Sequence, residues 1–204
     1  AHDVQQLFRI RRRRHPGRHR AASAPVPYIR SQVAGVWGSW SAGPYGGGAH
    51  TVWLPASSFT PTVTNGAALA SEELATNDVM AVGYDFDKDT DKKIQFIMAM
   101  PKSWKEGTLT AQFAWKDAAT PGAGSVVWSI RMRALGDDDA MDAAFGTQKS
   151  VADAFIAAGD MHVSVATGVI TPAGSPAEND LLVIEVYRDA DNGADTYTQD
   201  ARLL

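Results

Sequence analysis

The chain contains no cysteine, which excludes disulfides, zinc–thiolate sites and thiol nucleophiles together. It also lacks any apolar run approaching the roughly 18 residues of a membrane span that is free of Gly, Pro or polar interruptions. The basic N-terminus is followed by no apolar h-region, so it does not read as a secretory signal. Charge is missing from one long stretch: between Arg30 and Glu72 there is no Asp, Glu, Lys or Arg. A neutral run of that length does not suit a solvated loop and suggests backbone lying against protein.

Catalytic motifs are scarce as well. Gly46-Gly47-Gly48 lacks the Lys and Ser/Thr of a phosphate-binding loop, and no G-x-S-x-G elbow occurs. Three of the five histidines, His2, His15 and His19, fall in the N-terminal segment, where no rigid pocket is expected. His50 lies beside the glycine run, and His162 heads a strand pattern where a sheet-surface role is expected. Glu72–Glu73 and Glu178 could form a carboxylate pair for glycoside hydrolysis, but any acidic domain offers such pairs. The expectation is a non-enzymatic protein without a cofactor.

What is present is uneven. The 204 residues are 45% hydrophobic, enough for a core over most of the length. Residues 1–50 hold eight arginines against the single acid Asp3, a balance of +7, leaving eleven bases against twenty-two acids, or −11, in residues 51–204. Such asymmetry marks a tail whose partner differs from that of the body. Arg11, Arg12, Arg13, Arg14, Arg18 and Arg20 form the basic cluster, and Pro16, Pro25 and Pro27 prevent one continuous helix. The cluster could neutralise phosphates, but it has little aromatic interleaving on which bases could stack. Docking on an acidic protein surface is therefore the expected role. Residues 31–49, with Trp37, Trp40, Tyr45 and the glycine run, read as an extended, adhesive continuation. The expected division is an arm over 1–49 and a body over 50–204.

The body has the period-two pattern of strands. Val126, Trp128, Ile130 and Met132 alternate with Ser125, Ser129, Arg131 and Arg133, and Leu109, Ala111, Phe113 and Trp115 alternate with polar neighbours. Residues 94–100 and 181–187 are apolar on both parities, as expected of strands covered on both faces. Residues 78–86 and 161–167 are further candidates. Gly, Pro, Asp and Asn clusters at 87–92, 117–124, 136–139 and 171–180 separate these strands. Helix is expected only over 138–145 and 151–158. Six to nine strands at this spacing predict an all-β antiparallel sandwich, of simple or jelly-roll type.

Two acidic runs offer metal ligands. The first holds Asp85, Asp87, Asp89 and Asp91, with Lys88, Lys92 and Lys93 interleaved or following, which favours a solvated turn. The second holds Asp189, Asp191, Asp195 and Asp200, and its start is similar to a calcium loop. However, Gly193 stands one place early and Asp200 replaces the closing Glu. Asp85, Asp87, Asp89, Asp189, Asp191 and Asp195 are the candidate ligands, while Asn192-Gly193 reads more simply as a turn. No metal is expected to be required for folding.

Several blocks, taken in order, carry a resemblance: WLPASSFTPTVTNGAAL (53–69), LATNDV (74–79), AMPKSWKEGTLTAQFAW (99–115), DAAFGT (142–147), SPAENDLLVIEVYRDADNGADT (175–196) and DARLL (200–204). Together they resemble small virion structural proteins of tailed bacteriophages and gene-transfer-agent-like particles, of fibre, spike or decoration type. The resemblance implies location in a virion and partners among capsid or fibre subunits. It carries no catalytic motif, and it implies that the chain continues by another strand beyond Leu204. The expected function is that of a capsid decoration (cement), head spike or fibre, or tail-fibre subunit. Homo-oligomerisation, as a trimer, is expected because the neutral run 31–71 would expose too much apolar surface on a lone subunit. Nucleic acid and membrane are not expected partners. The alternative is a carbohydrate-binding sandwich contacting a host-surface glycan, with some of the six tryptophans as its platform.

Overall fold

A computed structural model describes residues 51–101, 104 and 108–204, together with four two-residue strands nearer the N-terminus. The chain divides into two compact units, Ala1–Trp53 and Leu54–Leu204. In the first, β1 (Tyr28–Ile29) pairs with β4 (Ser41–Ala42) and β2 (Gln32–Val33) with β3 (Val36–Trp37), both antiparallel.

The second unit is an antiparallel β-sandwich of two five-stranded sheets. One sheet has the order β11 (Lys149–Ala154), β10 (Ser125–Leu135), β13 (Leu181–Arg188), β8 (Lys93–Ala99), β5 (Thr60–Pro61). The other has the order β12 (His162–Val163), β9 (Ala114–Asp117), β14 (Ala201–Leu203), β7 (Val79–Phe86), β6 (Ala68–Leu74). Only β6–β7 and β10–β11 follow one another within a sheet, and every other step along the chain crosses to the opposite sheet. The two C-terminal strands, β13 and β14, thereby occupy the middle of their sheets.

The core follows from the alternation. Met132, Ile184 and Phe96 stand in one cross-strand row and Ile130, Val186 and Ile94 in the next, so all six side chains leave the sheet on one face. They meet Tyr84, Phe86, Trp115 and Leu203 from the second sheet in one buried cluster. Trp128 lies at its centre, with Phe86 edge-on at 5.2 Å, Phe113 at 6.0 Å and Trp115 at 6.4 Å between ring centroids, spacings at which aromatic quadrupoles attract. The outer face of the second sheet carries an ion-pair network. Arg202 of β14 forks onto Asp85 of β7 at 2.7 and 3.0 Å and reaches Glu72 of β6 at 3.0 Å. Lys116 of β9 joins Glu72 at 2.8 Å, so the network crosses four strands.

Several expectations need correction. Residues 138–145 are not helical, because turn chemistry wins there. Asp139 accepts the Gly136 N–H at 2.8 Å, Asp138 has a positive φ of 64°, and Arg133 takes up the carbonyls of Ala144 and Ala140. Residues 151–158 are not helical either; up to Ala154 they form β11 against β10, with Val151 opposite Trp128. Strand β8 is not covered on both faces, since Ile97 and Ala99 are exposed. The strand expected over 108–115 begins as regular structure only at Ala114. The element 56–58 is one turn of 3-10 helix, and ten strands rather than six to nine make up the sandwich.

Candidate functional site

The two acidic runs meet at one end of the sandwich, through two of the expected residues, Asp189 and Asp191, and one outside the candidate set, Asp91. Asp91, Asp189 and Asp191 bring carboxylate oxygens within 4.8 Å of one another. Asp91 follows β7 and Asp189 follows β13, and the Asp91 carboxylate accepts the Ala190 N–H at 2.8 Å, which ties the two loops together. Desolvation first, then the charges of Asp191 and Asp189, raise the Asp91 pKa above its ordinary value, because burial disfavours the charged form and two neighbouring anions add to that. A divalent cation could be held by these three oxygens.

Asp189 is already engaged. Its Oδ2 accepts from Ser129 Oγ at 3.2 Å, Asn192 Nδ2 at 3.2 Å and Gln148 Nε2 at 3.4 Å. Gln148 in turn accepts from the Tyr187 hydroxyl. Desolvation, followed by the Asp189 charge, pushes the Tyr187 phenol up to about 12, so it stays protonated and remains a donor.

The other expected ligands have separate partners. Asp85 takes the Arg202 fork, Asp87 accepts the Asp89 N–H at 2.8 Å, and Asp89 pairs with Lys88. Asp195 is buried against Arg188, with contacts of 2.9 and 2.7 Å, and also accepts the Val127 N–H at 2.9 Å. Arg188 also donates to the carbonyls of Gln199 and Tyr197, each at 2.7 Å. The second acidic run is therefore a loop tied down by a buried arginine. Asp91 was the member the sequence candidates omitted; nothing in its spacing distinguished it from Asp85, Asp87 and Asp89, since the β8–β13 pairing, with Lys93 opposite Tyr187, selects it.

His162 does not lie on the sheet surface as expected. It is 2% exposed, stacked on Trp115 at 4.5 Å with Phe155 at 5.3 Å, and neither ring nitrogen has a partner among the described residues. Its surroundings are those of a packing residue. Trp115 and Trp128 are fully buried, whereas Trp53 is exposed. The residues expected to dock on a partner, Arg11, Arg12, Arg13, Arg14, Arg18, Arg20 and Trp40, lie outside the described residues, and Trp37 is placed only as part of β3. Among the described residues no helix is long and apolar enough to cross a membrane.

No family model matches the chain, and no curated protein or solved structure matches it either.

Proposed function

We propose that this chain is an accessory structural protein of a bacteriophage-type virion, acting by subunit assembly as a decoration, head-fibre or tail-fibre component. The observation that carries this reading is exposed apolar surface gathered on strands of the sandwich. Leu69, Met80 and Val82 are exposed on one face of the β6–β7 hairpin, and Met161, Val163, Val165 and Val169 along the β12 edge. Single exposed apolar residues are ordinary, but clustered ones mark contact surfaces. The opposite charges of arm and body and the resemblance of the separated sequence blocks support the same reading. The partners are other virion subunits and further copies of the chain, with a trimer favoured.

The test is mass spectrometry of purified particles together with sedimentation of the isolated chain at micromolar concentration. The chain is expected in particles at a fixed stoichiometry and above 22 kDa in solution. Absence from particles, with only a monomer in solution, overturns the reading. Exposed Trp53 favours a second reading, a glycan-binding module at the host surface. That reading requires saccharide-dependent quenching of tryptophan fluorescence, lost in Trp53→Ala.

A further inference from the structure

The edge formed by β12 and the chain that follows it has inverted polarity. His162, Ser164 and Thr167 point inward and are buried, while Met161, Val163, Val165 and Val169 point outward, at 64%, 52%, 68% and 49% exposure. A slip of one residue would exchange the two sets, but side-chain hydrogen bonds fix the inverted register. Ser164 Oγ accepts the Phe113 N–H at 3.0 Å, and Thr167 Oγ1 accepts the Ala111 N–H at 3.1 Å. Backbone bonds join Ser164, Thr167 and Ile170 to Phe113, Ala111 and Leu109. Three residues on this edge thus span two on its partner, twice in succession. Such bulges break the regular ladder and discourage strand addition. What the edge offers is a stripe of side chains rather than a row of backbone donors.

We propose that this stripe receives the N-terminal arm of a second copy of the chain, with residues 31–50 lying across Met161, Val163, Val165 and Val169. The inference rests on the assembly reading above and names its contact. Charge selects the occupant. Residues 161–177 carry no Asp, Glu, Lys or Arg, so the stripe is a neutral window in a body of net −11. Two such bodies face to face repel, whereas the arm is the one part of the chain with the opposite sign. Its charge-free portion, with Val33, Val36, Trp37, Trp40 and Tyr45, matches the window, and its arginines suit acidic residues at the rim, such as Asp160.

The test is a photo-cross-linker replacing Val163 in the full chain, in a mixture of ¹⁴N- and ¹⁵N-labelled copies. Mass spectrometry is expected to find adducts from position 163 into residues 31–50 of the other isotope. Adducts to the body of another copy, adducts within one copy alone, or none at all, overturn the proposal. Independently, Val163→Lys with Val165→Lys is expected to weaken self-association by at least about tenfold with the thermal midpoint unchanged. If that variant misfolds, the milder Val165→Ser replaces it, and undiminished association in a folded variant overturns the proposal. Incorporation into particles without a 163-to-arm adduct sinks this contact while the virion reading stands.

Discussion

Arg188 is fully buried, and a guanidinium in that position is tolerable because four of its five N–H donors have partners. Two contacts go to Asp195 and two to backbone carbonyls of the loop it supports. Asp195→Ala leaves that charge without its counter-ion, and removing one partner of a buried pair costs about 3–5 kcal/mol. Urea denaturation should register a loss of that size, and Arg188→Leu with Asp195→Leu should not restore it, because the Gln199 and Tyr197 carbonyls still lose their donor. Asp91 works in the other direction. Its pKa is raised in the folded state, so its stabilising contribution is full below the ordinary value of 3.8 and is lost as pH rises through the folded value. Asp91→Asn keeps an oxygen for the Ala190 N–H and removes the repulsion. It should raise the melting temperature at pH 7 and lose that advantage near pH 3. A destabilised Asp91→Asn in calcium-containing buffer would show instead that the three carboxylates hold a cation.

The strands themselves were readable where one face is polar and the other apolar. Residues 125–133 and 78–86 are strands β10 and β7 to within two residues at either end; serine and arginine alternate with apolar residues in the first, although burial alternates only over 130–134, Val126 to Ile130 all being buried. The hairpin strand β6 was not legible, since Ala68–Leu74 carries Ser71, Glu72 and Glu73 in succession. Nor was β14, whose Arg202 faces a network assembled from three other strands. The helical pattern at 138–145 misled because local Asp side chains compete with helix for the backbone. Of the acidic site, the convergence of the two runs was not predictable from spacing, since it depends on the start of β8 pairing with the end of β13. One element-level feature is nonetheless testable. A Cβ on Gly83 of β7 would lie 1.8 Å from the Leu203 carbonyl oxygen of β14, so only glycine lets these strands approach this closely. Gly83→Ala should cost about 1–3 kcal/mol, the scale of overpacking, whereas Ala81→Gly, two residues earlier on the same strand and away from β14, should cost less than about 1 kcal/mol. Equal losses in thermal denaturation would show that the close approach is not what the glycine permits.

For the molecule as a whole, the division of charge sets a requirement that the sandwich alone does not meet. A body of −11 has no electrostatic reason to gather copies of itself, yet it carries two clusters of exposed apolar side chains. Under the proposed contact, an arm of +7 joined to a neutral segment would resolve the conflict, with long-range attraction bringing arm to body and apolar contact retaining it. The two contributions respond differently to salt. Exposed ion pairs are each worth under about 1 kcal/mol and are screened, with a Debye length near 10 Å at 0.1 M and 3 Å at 1 M, while apolar burial is not screened. Replacing Arg11, Arg12, Arg13 and Arg14 by Ser should therefore weaken self-association at low ionic strength and slow its onset. The difference from the unaltered chain should shrink towards zero as salt approaches 1 M. Deleting residues 1–50 should abolish association at every salt concentration, because the neutral contact segment leaves with the arginines. Sedimentation across a salt series separates these outcomes. A deletion variant that still associates as the full chain does would assign assembly to the body alone, and an arginine variant indistinguishable from the full chain at low salt would remove electrostatic steering from the account.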